Sequence, residues 1–413
     1  MQKLLMKLLL ALISCIMYSN CAESNSDLGE LKFLMLLTRH GARSPSLEPP
    51  DNATITNSEW KIRLGDLTRI GERQHYLLGT KFAKDYIGPE KFLSDKFDPR
   101  EVTILSTNFD RTLMSAYSEL SGFYPGFQVK NLTEDQVSKA VTPFTFNGEV
   151  EAINLLDKKP TQYGFTQVPI HDGSIDQMMR GMDTDICPYQ EILREKTTKE
   201  GTWKEANDKY QEILFPAMVK KFNADNDTLD LDSAYPYVDN YYSAWFDQME
   251  ITNPLAKEEN DQIEQILRDG LYVGFYELDI AVRLATSRYF NWLYTTIEAK
   301  LNTIINDTDT DDYYKRLKFM YLSAHDSTIS AVMSGFQQKQ DKQVEFASYV
   351  ITEVYQKPGT SGKNYSDFTV RMLYNGEPFS PNVTETCPDF SCDFPALKEF
   401  LKSREYEGDI DKA

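Results

Sequence analysis

One segment of the chain reads Leu31-Lys-Phe-Leu-Met-Leu-Leu37 and continues directly into Thr38-Arg39-His40-Gly41-Ala42-Arg43-Ser44-Pro45. A short and nearly continuous apolar run predicts a central strand that is covered on both faces of a sheet. Two arginines and a histidine follow it, at the carboxyl end of the predicted strand. Ligands of open α/β sheets bind at that end. The segment therefore predicts a buried strand with a functional cluster at its exit.

The same arrangement recurs twice along the chain. Glu101-Val-Thr-Ile-Leu105 and Leu317-Lys-Phe-Met-Tyr-Leu322 are further apolar runs, each followed by polar residues and then by helical periodicity. Repeated strand-then-helix units predict the α/β class, with a mainly parallel sheet flanked by helices. Two more strands are predicted over residues 347–355 and 368–373.

The helix after the second strand shows a clear period. Its apolar positions recur at helical spacing on one predicted face, before Gly122 and Pro125 end the helix: Leu113, Ala116, Tyr117 and Leu120.

Strand signals fade over residues 146–309, and helical patterns take their place. One predicted face carries Tyr210, Ile213 and Leu214, and Pro216 is expected to start the next helix. Another face carries Ile263, Ile266, Leu267 and Leu271. We expect a smaller α-helical cap domain, inserted into an α/β domain made of residues 23–145 and 310–413. The alternative is that these helices simply cover the main sheet, and the pattern does not separate the two.

The first 22 residues are typical of a signal peptide. Lys3 and Lys7 precede an apolar stretch from Leu8 to Tyr18, which is shorter than the roughly 20 residues of a spanning helix. The shortness disfavours an uncleaved anchor. No later run in the sequence is apolar enough to cross a membrane, so the expected product is secreted or soluble and lysosomal.

Charge and composition restrict the class of partner. The chain has 413 residues, 41% of them hydrophobic, and a formal net charge of −19. This composition is that of an ordinary globular protein. So acidic a surface argues against nucleic acid or an anionic membrane as a partner.

Glycosylation and disulfide signals agree with an extracytoplasmic location. Six Asn-x-Ser/Thr sequons occur, some of them expected by chance: Asn52, Asn131, Asn226, Asn306, Asn364 and Asn382. The short loop from Cys387 to Cys392 suits a disulfide that would stabilise the fold by about 2 kcal/mol, with reduced thiols as the alternative. For Cys187 the reduced, buried thiol is favoured.

Charged residues stand at all three strand exits. Beyond Arg39, His40 and Arg43, the second exit carries Asp110 and Arg111, and the third carries His325 and Asp326. The guanidinium group of arginine matches phosphate oxygens and stays charged. Helix N-termini behind the strands add partly positive N–H groups. The residue types therefore predict a phosphate site.

The same exits offer a nucleophile and an acid. Arginines around His40 lower the pKa of its imidazole, so the ring stays neutral and nucleophilic in acid. Asp326 would protonate the leaving alkoxide. His75 and His171 are expected to be structural, with His171 at the pocket edge as the alternative. Zinc-binding spacings and a glycine-rich phosphate loop are missing from the sequence, so we expect no metal and no cofactor.

Arg39-His40-Gly41-x-Arg43-x-Pro45 resembles the RHGxRxP signature of the histidine acid phosphatases, and His325-Asp326 resembles their distal HD pair. Further likeness to the prostatic and lysosomal acid phosphatases lies around residues 67–79, 106–116, 168–171 and 187–188, in the same order. It covers most of the chain and is least marked in the middle third.

The resemblance implies phosphomonoester hydrolysis in two steps. His40 would form a phosphohistidine, and Asp326 would protonate the leaving group and then assist water. Arg39, Arg43, Arg111 and His325 would bind the phosphate, and no metal is required. Small phosphomonoesters are the implied substrates, and formation of a homodimer is left open.

Departures from the family and competing functions are also visible. Prostatic-type relatives have three disulfides, of which this chain retains only Cys387–Cys392, and the C-terminal span of lysosomal precursors is missing. Phytases share both motifs, so a phytase-like inositol phosphate phosphatase is an alternative. A phosphomutase is disfavoured by the signal peptide. A non-catalytic secreted phosphate-binding protein is disfavoured because binding alone needs neither His40 nor Asp326.

Overall fold

The structure is a computed structural model that describes residues 28–48, 53–57, 59–87, 92–124, 131–160, 168–172, 175–179, 187–198, 201–225, 229–306, 312–381, 387 and 390–410. The predicted signal peptide and the sequons at Asn52, Asn226 and Asn382 lie outside the described residues.

A seven-stranded mixed sheet forms the centre of the molecule. Its strands are β1 (Glu30–Arg39), β2 (Val102–Ser106), β3 (Phe319–Ala324), β4 (Tyr349–Gln356), β5 (Phe368–Tyr374), β6 (Glu377–Phe379) and β7 (Ser391–Asp393). The order is β2-β3-β1-β4-β5-β6, and β7 pairs with β5. All five predicted strands are present, which confirms the α/β class.

The sheet is mixed. Its strands are parallel only in the part that carries the motifs, so the expectation of a mainly parallel sheet is corrected for the remaining strands. Strands β1 and β2 pair parallel with β3, whereas β4 to β7 join through antiparallel ladders. Local turns explain part of the antiparallel half. Asn375 and Gly376 connect β5 to β6 with positive φ angles of 49° and 92°, as Asn-Gly does in tight hairpins.

Helices surround this sheet. They are α1 (Arg69–Phe82), α2 (Asp110–Phe123), α3 (Glu134–Lys139), α4 (Glu149–Leu156), α5 (Ile175–Met179), α6 (Pro188–Thr197), α7 (Thr202–Ile213), α8 (Phe215–Phe222), α9 (Tyr235–Phe246), α10 (Lys257–Asn260), α11 (Ile263–Tyr276), α12 (Asp279–Ile305), α13 (Asp312–Arg316), α14 (Asp326–Gly335) and α15 (Phe394–Ser403). A π-helix, Ala83–Ile87, follows α1, and a 3₁₀ helix, Tyr365–Asp367, precedes β5. None of the described helices combines the length and apolar character that crossing a bilayer requires.

The sheet is buried on both faces. Leu37 and Val354 on one face pack with Phe290 and Ile297 of the long helix α12. The other face packs against the helical pair α1 and α2. Helix α12 lies within the predicted insert but packs on the sheet. For this helix the alternative holds, that a helix of residues 146–309 covers the main sheet. The division at residues 146 and 309 stays a prediction.

A second core is built by α7, α8, α9 and α11. It buries Tyr210, Phe222 and Ile266, and it reaches Ala42 of the first motif and Phe346 beside it. Pro216 lies in the first turn of α8, as predicted. Ile213 was expected on the buried face with Tyr210, but its side chain is 41% exposed.

Cys387 and Cys392 form the predicted disulfide, and Cys187 is a free, partly buried thiol. Asn131, Asn306 and Asn364 are exposed.

Candidate active site

The parallel pairing brings the three strand exits to one edge of the sheet. Arg39 at the end of β1 lies beside Ala324 at the end of β3, and Ser106 of β2 lies beside Ser323. The His40 amide donates to the carbonyl of Ala324 at 3.0 Å, which continues the ladder by one residue. The His40 and His325 rings are then 5.7 Å apart, centroid to centroid.

His40 is buried, and its tautomer is set by the main chain. Its Nδ1 lies 2.8 Å from the carbonyl oxygen of Gly41. A carbonyl only accepts, so Nδ1 carries the hydrogen and Nε2 of the neutral ring keeps its lone pair. Burial, followed by the positive charges of Arg111, Arg39 and Arg43, holds the pKa of His40 well below its usual value. His40 therefore favours the neutral form of the imidazole, in which Nε2 carries no hydrogen.

Arg39 is fixed on three sides. Its Nη2 lies 2.8 Å from Oδ2 of Asp326, and its Nη1 donates to the carbonyl of Val344. The guanidinium carbon lies 4.2 Å from the centre of the Phe346 ring, a cation–π contact. This buried arginine links the first motif to the HD pair.

Arg43 is held by a carboxylate that the sequence analysis missed. Asp239, on α9, accepts from Nη1 and Nη2 of Arg43 at 3.1 and 3.0 Å, and both side chains are buried. Burial opposes the charge of Arg43, but Asp239 outweighs it and raises the arginine pKa above its usual value. The sequence signal for Asp239 is a single acid within the largely aromatic helical run Tyr235-Pro-Tyr-Val-Asp-Asn-Tyr-Tyr242.

Arg111 lies in the first turn of α2 and has the least compensated charge. Burial and then the charge of Arg43 lower its pKa to about 10. Its guanidinium lies 4.5 Å from the Phe109 ring centre, and its buried Nε has no hydrogen-bond partner among the described residues. An anion bound between Arg43 and Arg111 would relieve their repulsion.

The HD pair is held by its own contacts. His325 Nε2 lies 2.9 Å from Thr107 Oγ1, and Thr107 donates its only hydroxyl hydrogen to Thr112. Thr107 therefore accepts from His325, whose Nε2 carries a hydrogen. Burial alone would raise the pKa of Asp326, but Arg39, Arg43 and His325 outweigh burial and lower it.

All six predicted site residues thus lie together at one end of the sheet. A model of the histidine phosphatase superfamily, branch 2, matches residues 30–375. The chain belongs to this superfamily.

Relatives of this histidine phosphatase extend over nearly its whole length. Lysosomal acid phosphatase of Xenopus laevis is 26% identical over 411 residues, covering 97% of this chain and 82% of that protein. Human lysosomal acid phosphatase is 25% identical, covering 91% and 77%. Human prostatic acid phosphatase is 44% identical over 96 residues, covering 23% and 24%. The sequence-based interpretation as a histidine acid phosphatase is confirmed.

Solved structures agree on the fold. Hafnia alvei phytase in complex with tartrate has a TM-score of 0.63 at 13% identity and covers 92% of this chain and 98% of its own. The phytase of Citrobacter braakii has a TM-score of 0.61 at 12% identity and covers 91% and 98%. At these identities the likeness concerns the fold alone.

The histidine phosphatase motif is supported from α1 and α2. The Gly41 amide donates to Ser115 Oγ at 3.1 Å. A Cβ atom on Gly41 would lie 2.6 Å from the Cα of Gly71 in α1. Close packing against α1 therefore requires glycine at position 41.

A buried network lies beneath the site. The His75 ring nitrogens lie 2.8 Å from Glu119 Oε2 and 3.1 Å from the Arg39 carbonyl. Tyr321 donates to Glu119 at 2.8 Å. These contacts support the structural role expected for His75. His171 has an exposed side chain, and its main chain pairs with the edge of β2, which supports a structural role as well.

Proposed function

We propose that this chain is an acid phosphatase that hydrolyses phosphate monoesters through a phosphohistidine at His40, without a metal. The observation that carries the proposal is the Nδ1–H···O=C contact between His40 and Gly41. It leaves Nε2 as the nucleophile, while burial and the charges of three surrounding arginines lower the pKa of the ring and favour its neutral form. A merely phosphate-binding pocket needs no such nitrogen.

In the first step, Nε2 of His40 attacks phosphorus. The P–N bond forms as the ester P–O bond breaks, and the leaving alkoxide takes the proton of the Asp326 carboxyl group. Arg39, Arg43, Arg111 and His325 stabilise the charge on the other phosphate oxygens.

In the second step, water attacks the phosphohistidine. Asp326, now a carboxylate, accepts a proton from this water, the P–N bond breaks, and inorganic phosphate and neutral His40 are regenerated. The same carboxyl group serves as acid and then as base, as proton balance requires.

Asp326 explains why such an enzyme would work in acid. In the free protein the arginines lower the pKa of this carboxyl group. A bound phosphate brings negative charge to the same arginines, which opposes their effect and raises the pKa of Asp326. Acid pH further favours the protonated form that the first step needs.

For location we propose secretion or soluble delivery to the lysosome. The apolar segment of residues 8–18, the exposed sequons Asn131, Asn306 and Asn364, and the lysosomal acid phosphatase relatives support this. Assembly as a homodimer stays an untested expectation.

Hydrolysis of p-nitrophenyl phosphate at pH 5 with EDTA tests the proposal. The wild-type protein should turn over, and a His40→Ala variant that retains the native circular dichroism spectrum should lose several orders of magnitude in kcat. His171→Ala is the matched control and should retain activity. A folded but inactive wild type, or an equally active His40→Ala variant, would contradict the proposal and favour the phosphate-binding alternative.

A further inference from the structure

An open cleft of about 700 Å³ lies beside the loop that follows the first motif. Its walls come from the loop of residues 59–64, the end of the first motif loop and helix α9, and they include Glu48, Glu59, Trp60, Ile62, Leu64 and Asn240. Ser44 Oγ donates to the Arg63 carbonyl at 2.7 Å. Asn240 follows Asp239, the partner of Arg43. The cleft therefore lies where the organic part of a bound monoester would extend.

One wall of the cleft is apolar. Ile62 and Leu64 are each 39% exposed, although large apolar side chains favour burial. Trp60 is partly buried and lines the same wall. This wall fits an aromatic group.

The charges of the cleft are predominantly negative. Glu48 and Glu59 both line it and are exposed. Arg63 also lines it, but its guanidinium pairs with Asp66 at 3.2 Å and with Asp110, so its charge is compensated. The cleft therefore repels leaving groups that carry further negative charge and attracts cationic ones.

We infer that this cleft is the leaving-group subsite of the enzyme, selective for phosphate esters of an uncharged or cationic aromatic alcohol. Inositol polyphosphates are disfavoured because their additional phosphates would face Glu48 and Glu59. The inference rests on the proposed phosphatase function. In that function the cluster of Arg39, Arg43 and Arg111 binds only the phosphate group that reacts.

Two aryl phosphates that differ in a distant charge test the inference. Phosphotyramine carries an ammonium group, whereas the phosphate of 3-(4-hydroxyphenyl)propionate carries a carboxylate at a similar distance from the ring. We expect kcat/KM at pH 6 and low salt to favour phosphotyramine three- to tenfold. This ratio should approach one in a Glu48→Gln/Glu59→Gln variant and persist in the control Glu377→Gln/Glu407→Gln. A ratio near one in the wild type, or one unchanged in the first variant, would overturn the inference.

The aromatic wall is tested with Trp60→Leu. The ratio of kcat/KM for phosphotyramine to that for ethyl phosphate should fall about fivefold, since an aromatic contact is lost. It should not fall in the control Phe390→Leu. An unchanged ratio in folded Trp60→Leu, or a preference for inositol hexakisphosphate over phosphotyramine, would overturn the inference. Wild-type protein that turns over no ester would overturn the proposed function as well, whereas turnover without discrimination would overturn the subsite alone.

Discussion

Arg43 and Asp239 form a buried, two-bond ion pair with distances of 3.1 and 3.0 Å, and this pair joins the first motif to helix α9. Asp239 also accepts from the Ser46 amide at 2.7 Å. Arg43, which lies in the loop after β1 and is proposed to bind phosphate, is therefore oriented by helix α9. The contact between the first motif loop and helix α9 therefore sets the geometry of the proposed phosphate site.

Asp239→Asn should leave the buried charge of Arg43 uncompensated. We expect the free energy of unfolding to fall by about 3 kcal/mol. Inorganic phosphate replaces part of the missing negative charge, so it should raise the melting temperature more in the variant than in the wild type. Differential scanning fluorimetry with and without phosphate measures both effects. The exposed control Asp261→Asn should show neither, and an equal or smaller phosphate shift in Asp239→Asn would contradict the role given to this residue.

Asp326→Ala should affect poor leaving groups most. An alkoxide needs a proton as it departs, whereas p-nitrophenolate departs without one, so the loss of kcat should be at least tenfold greater for ethyl phosphate than for p-nitrophenyl phosphate. The variant also loses the contact between Asp326 and Arg39. That loss reduces kcat for both substrates by the same factor, so it does not change the ratio of the two values. Equal losses for the two substrates would assign Asp326 a purely electrostatic role.

The lowered pKa of His40 predicts a dependence of stability on pH. The unfolded chain takes up a proton at His40 below a pH of about 6.5, while the folded protein resists protonation because of burial and the arginines. The free energy of unfolding should therefore fall as pH decreases below about 6.5, by up to about 1.4 kcal/mol per pH unit from this group. In His40→Asn this loss is absent.

Melting temperatures at pH 7 and pH 4.5 measure that effect. On going from pH 7 to pH 4.5, the melting temperature of the His40→Asn variant should fall less than that of the wild type. His171→Asn, which removes an exposed histidine, should follow the wild type. A constant difference for His40→Asn would mean that His40 is protonated as readily in the folded protein as in the unfolded chain.

Glu119→Ala should remove the acceptor shared by His75 and Tyr321. Two buried donors would be left unpaired, at a cost of about 3 kcal/mol in the free energy of unfolding. Because His75 also contacts the Arg39 carbonyl, kcat should fall in protein that remains folded. Urea denaturation and steady-state kinetics check the two effects. The exposed control Glu134→Ala should change neither, and a drop in stability below 1 kcal/mol would contradict the network.

The strands around the site were predictable because their signal is local. Leu31–Leu37 and Leu317–Leu322 are short apolar runs, and a run of this kind reports burial on both faces of a sheet wherever the rest of the chain lies. The position of Arg39, Arg111 and His325 at strand exits followed from the general geometry of parallel sheets. The short strands β6 and β7 were not predicted, and neither was the antiparallel pairing of β4 with β1, because β1 and β4 are distant in sequence.

Helix α2 shows how periodicity misplaces a polar interior. The apolar period places Tyr117 on the same face as Ala116 and Leu120, but its side chain is 50% exposed. Ser115 and Glu119 are buried instead, because they bond the Gly41 amide and the His75 ring. The spacing of apolar residues does not predict which polar side chains of a helix are buried to form hydrogen bonds.

The α/β class and the residue types at the three strand exits follow from short-range order, so they can be predicted from the sequence. The pairing of Asp239 with Arg43, 196 positions earlier, and the cleft lined by Glu48, Trp60 and Asn240 arise only in the folded chain. Ion pairs and cavities depend on distances between elements, and those distances are set by how helices α7, α8, α9 and α11 pack beside the sheet.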